Sequence, residues 1–143
     1  MNGMKTFGLS FLLLLTSIIQ AQNVICPFDY VNNWVGFGDQ NNSGEWPIEL
    51  KINGGQVGEV VGVISYPSLN CGGELTLLQV DERQIVLREN LTYGFFRCAN
   101  NGDVTLTLIG EAMQFYWYSE QYSESWAQGL LGLKLADSLN SID

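Results

Sequence analysis

Apolar and polar residues alternate along most of this chain. Trp46, Ile48, Leu50 and Ile52 are apolar while Glu49 and Lys51 between them are charged, a period of two that predicts a strand with one buried face. Pro47 cannot donate to a ladder, which places it at the start of that strand or at a bulge. Val57 to Tyr66 is apolar on both faces, with Gly58 and Gly62 inside it, and predicts a second, coiled strand. A hairpin follows. Leu75 and Leu77 point one way and Thr76, Leu78 and Val80 the other; after the polar turn Asp81–Gln84, Ile85, Leu87, Leu91 and Tyr93 share a face opposite Gln84, Arg88, Asn90 and Thr92.

Val104, Leu106 and Leu108 then alternate with Asp103, Thr105 and Thr107, and Met113, Phe115 and Trp117 alternate with Gln114, Tyr116 and Tyr118. Turn residues separate these runs: Asn53-Gly54-Gly55, Asn100-Asn101-Gly102 and Gly110-Glu111. Glycine-rich Trp34 to Asp39 begins the series. At the other end we expect a loop from Ser119 and a last strand near Leu130–Ala136, because Gly129 and Gly132 weaken a helix starting at Ser125. The fold class is therefore all-β: about eight antiparallel strands in up-and-down order. Eight sequential strands lose their edges by pairing first with last, in a small barrel that is filled by side chains or holds one small ligand. A two-sheet sandwich is the alternative.

Ahead of the strands, Met1–Ala21 carries Lys5 and a nearly unbroken apolar run from Phe7 to Ile19. The run is short for a bilayer span and ends at a small residue, so it reads as a cleaved secretory signal. That leaves 22–143 as a single domain and directs it to the cell envelope or outside, secreted or periplasmic. Without Lys5 the chain has five Lys and Arg against fifteen Asp and Glu and no histidine. So acidic a surface repels phosphate backbones and anionic lipid, which argues against nucleic acid and membrane surfaces as partners. The hairpin brings Cys71 and Cys98 to one end if a bulge or loop follows Gly94; pairing them leaves Cys26 over, and pairings that use Cys26 stay open.

Within this region, Tyr66-Pro67-Ser68-Leu69, Cys71-x-Gly73-x-Leu75-x-Leu77, Glu89, Gly94, Cys98, Val104-x-Leu106 and Tyr116-Trp117 resemble a small β module. That module occurs in secreted and membrane-attached bacterial proteins, including the extracellular ends of some bacterial serine/threonine kinases. The resemblance covers about half of the chain after the signal. It implies a Cys71–Cys98 disulfide and brings no cofactor or catalytic residue. The glycine-rich first strand with Trp34 also resembles the start of lipocalin- and avidin-type (calycin-like) barrels, without a lipocalin motif or biotin site beyond it.

Candidate chemistry is sparse. With no histidine in the sequence, a hydrolytic triad lacks its usual base and a zinc site its usual ligands. There is no calcium loop and no phosphate loop, so we expect no metal and no cofactor. Glu74 and Glu89 on the facing hairpin strands are the one carboxylate pair that glycosidase chemistry could use; otherwise Glu89 forms a surface ion pair with Arg88 or Arg97. Aromatic residues are the stronger signal, because Trp, Tyr and Arg concentrate in recognition surfaces. The candidate binding residues are Tyr93, Phe96, Tyr116, Trp117, Tyr118 and Trp126, with Glu89 and Arg97 beside them. Phe115 and Trp117 inward leave Tyr116 and Tyr118 as an outward strip. Two readings follow: a non-catalytic module binding a small ligand or a partner protein, or an acidic inhibitor or immunity-type protein that blocks a basic enzyme. A weak carboxylate glycosidase ranks third.

Overall fold

In a computed structural model, residues 22–40, 44–122 and 125–135 are described. The signal segment Met1–Ala21 lies outside the described residues. Among the described residues the chain forms eight strands: β1 (Asn33–Gln40), β2 (Glu45–Ile52), β3 (Val60–Tyr66), β4 (Cys71–Val80), β5 (Gln84–Tyr93), β6 (Asp103–Ile109), β7 (Ala112–Ser119) and β8 (Ser125–Leu133). Each pairs antiparallel with the next, and β8 closes on β1. The sandwich alternative is thereby replaced by a closed sequential barrel, consistent with a calycin-like fold.

Alternation fills the interior. Ile48, Leu50 and Ile52 from β2, Ile85, Leu87 and Leu91 from β5, and Met113, Phe115 and Trp117 from β7 are all buried. Removing such rows from water, at about 25 cal/mol per Å² of apolar surface, is the main force holding the sheet closed. Pro47 sits where β2 is paired only to β1, because the β3 ladder begins at Glu49.

Four sequence expectations are corrected. Residues 57–59 are not strand: Gln56 forms an isolated bridge with Ile25, and the Glu59 N–H turns back to the Gln56 carbonyl at 3.0 Å. Val80 lies opposite the inward Ile85, because a register shift between Leu77 and Gln79 returns it to the inner side. Tyr93 leaves the inner row, since a second shift at Gly72/Gly73 puts it 44 % exposed. The last strand begins at Ser125 and ends at Leu133, its early half fixed by pairing Ala127–Gly129 with both β1 and β7.

The two barrel ends differ. Across one, the segment ahead of β1 makes a cap: Cys26 N–H donates to the Gly55 carbonyl (2.8 Å), and the buried Tyr30 hydroxyl donates to the Arg83 carbonyl (3.1 Å). Cys26 is a free, buried thiol. At the opposite end, the Pro67–Leu69 turn and the stretch 94–102 between β5 and β6 lie against the rim. Cys71–Cys98 forms a disulfide there, with Cα atoms 6.4 Å apart. It ties the start of β4 to the rim segment through the turn that closes with Arg97 N–H donating to the Gly94 carbonyl (3.0 Å).

Candidate functional site

At the uncapped end the barrel holds a cavity of about 200 Å³. Trp46, Tyr66 and Trp117 supply its aromatic wall, Leu69, Ala99 and Ala127 its smaller apolar surface, and Gln40, Glu89 and Arg97 its polar groups. Cys98, one half of the disulfide, also lines it.

Glu89 is the organising residue. It falls in the inner row of β5, between buried Leu87 and Leu91, and only 1 % of it is accessible. The Tyr66 hydroxyl donates to Oε2 at 2.5 Å, and the Trp117 indole Nε1–H donates to Oε1 at 3.2 Å. Among the described residues each carboxyl oxygen accepts one bond, fewer than a carboxylate oxygen can take. Burial raises the Glu89 carboxyl to about 7, and the Tyr66 and Trp117 bonds offset part of that rise. Tyr66 is itself pushed well above the ordinary tyrosine value, by burial first and then by the neighbouring carboxylate.

Backbone features fix this geometry. The Glu89 N–H donates to the Gly102 carbonyl (2.9 Å) and the Leu91 N–H to Asn100 Oδ1 (2.8 Å), so the rim segment continues the β5–β6 ladder. Gly102 has no Cβ because the Trp117 indole occupies that space: an added methyl carbon would lie 2.1 Å from the ring. Gly38 does the same for Trp46, whose ring would be 2.6 Å from a Cβ there. Trp46 in turn meets Tyr66 edge to face, with centroids 5.3 Å apart, a favoured aromatic arrangement.

Of the sequence candidates, Glu89, Arg97 and Trp117 converge on this cavity. Tyr116 and Tyr118 face outward, 41 % and 38 % exposed, and Trp126 is the cross-strand neighbour of Tyr118. Tyr93 lies in a groove on the outer wall. Phe96 is fully exposed on the rim next to Arg97. The proposed carboxylate pair is separated: Glu89 lies opposite Leu75, while the exposed Glu74 lies opposite Asn90 on the other face of the sheet. Nor is Glu89 in a surface ion pair. Arg88 instead engages Asp103 across β5 and β6. Trp46 and Tyr66 line the cavity without being among the sequence candidates. The sequence signal for Tyr66 is its place in the Y-P-S-L motif, and for Trp46 its inward position in the β2 alternation.

No protein-family model, curated protein or solved structure matches this chain.

Proposed function

We propose that this protein is a secreted, non-catalytic binding module that holds a small ligand in the open end of its barrel. The observation that carries the reading is a buried carboxyl at the floor of an aromatic cavity. An apolar residue at position 89 would fill the interior without any desolvation penalty, and buried acids are otherwise rare. Perturbed acids beside cavities are characteristic of binding and catalytic sites. The cavity is smaller than the ~300–1,000 Å³ typical of drug-sized ligands. It has room for roughly seven waters at ~30 Å³ each, so the ligand is compact.

Export through Met1–Ala21 belongs to the same proposal, as does kinship with the secreted bacterial β module. The Tyr66–Leu69 turn and the Cys71–Cys98 bridge, which carry that resemblance, both border the cavity. N-terminal sequencing of the exported protein tests the first; a start near Gln22 is expected, and retention of Met1 would refute it.

The binding reading is tested by a ligand-observed NMR fragment screen on the wild type and on Ala99→Trp, which fills the mouth. Compact fragments are expected to bind the wild type and to be lost in the filled variant. Fragments that bind both equally, or none that bind the wild type, would contradict the reading.

A further inference from the structure

Resting on that reading, we infer that the ligand is a small amphoteric molecule, with an ammonium group directed inward to Glu89 and an acidic group directed outward to Arg97. Three features of the cavity fit one molecule of this kind. At the floor, the Glu89 carboxyl takes Tyr66 and Trp117, its two donors among the described residues, on separate oxygens, leaving acceptor capacity for an N–H donor. Around it, Trp46, Tyr66 and Trp117 provide aromatic surface, which attracts a cation through the ring quadrupole, more strongly once water is excluded.

The third feature is Arg97 at the rim. Its residue is exposed and lines the same cavity, and it lies on the segment anchored by the neighbouring Cys98. A simple organic cation would be repelled by this guanidinium as it entered. A simple anion would meet Glu89 at the floor. A molecule bearing both charges satisfies both ends, and a guanidinium is well suited to grip a carboxylate in a fork. The limited volume requires the two groups to be joined by a short carbon body, which the aromatic wall and Leu69 would cover. A carboxyl already held by Tyr66 and Trp117 is pre-oriented, so little ordering is needed when the ammonium arrives.

Four probes of equal carbon number separate the contributions: 5-aminopentanoate, pentylammonium, pentanoate and pentanol. Each is titrated into the purified protein while the Trp46 and Trp117 indole N–H resonances are followed. 5-Aminopentanoate is expected to bind most tightly, at least tenfold better than pentanol, with pentylammonium next and pentanoate weakest. Glu89→Gln is expected to abolish the preference of 5-aminopentanoate over pentanoate. Arg97→Ala, a truncation of an exposed side chain, is expected to abolish the preference of 5-aminopentanoate over pentylammonium. Pentanol, pentanoate or pentylammonium matching 5-aminopentanoate would overturn the amphoteric assignment and leave the binding-module reading intact. Silence from all four probes would overturn the assignment too, and the fragment screen then decides the broader reading.

Discussion

Replacing Glu89 with glutamine should make the protein's stability less dependent on pH. In the unfolded chain this carboxyl titrates near 4.5, and in the folded protein near 7, because burial disfavours the anion. The folded state therefore holds the proton more tightly. Below pH 4.5 both states are protonated and the contribution to stability is complete. As pH rises towards 7 the unfolded chain releases its proton first, so stability falls; above 7 both states are ionised and the loss is finished. At 1.36 kcal/mol per pH unit, the separation between the two values corresponds to about 3 kcal/mol. Glutamine keeps the shape and can accept from the Trp117 indole through its oxygen while its amide donates to the Tyr66 hydroxyl, but it cannot ionise. Urea denaturation of both proteins, from about pH 4 to about pH 8, reads the difference directly, because the other acidic groups are common to both chains. Wild type relative to Glu89→Gln should lose about 3 kcal/mol across that range. A difference that stays flat, or one that grows in favour of the wild type with rising pH, would refute a buried carboxyl.

Removing a donor to the charged form, as in Tyr66→Phe, should push Glu89 above its present value of about 7; a carbon-13 carboxyl titration checks this, and an unchanged or lower value contradicts it. Cys98→Ser opens the bridge that spans 27 residues and should cost about 3–4 kcal/mol, measured as a lower denaturation midpoint in the absence of reductant. Gly102→Ala should displace the Trp117 ring, shift its indole N–H resonance and cost about 1–3 kcal/mol; an unmoved resonance would show that the ring does not rest on that glycine.

Local alternation made most of this barrel legible. β2, β6 and β7 each interleave apolar and polar residues over a whole strand, and the structure puts Ile48, Leu106 and Phe115 on the inside as that pattern requires. Where the pattern misleads, the cause is non-local. Gly129 contributes no side chain to a period, and the early half of β8 is strand because β1 and β7 flank it. The inversions at Val80 and Tyr93 arise from register shifts in the β3–β4–β5 region, which no spacing within one strand encodes. Glu89 is the most instructive. Its period-two neighbours are buried leucines, yet a lone carboxylate is normally solvated, so residue type and position point opposite ways. What makes burial tolerable is a hydroxyl 23 residues before it and an indole 28 residues after it. Those partners meet only once the barrel has closed.

The central claim is that the open end of the barrel is a ligand site organised by Glu89. It is tested most directly by a crystal structure of the protein soaked with its tightest-binding probe. The account predicts density between Trp46 and Trp117 with a nitrogen about 3 Å from a Glu89 carboxyl oxygen. A mouth filled by Arg97 or other side chains, or a probe bound only on the outer wall, would contradict it.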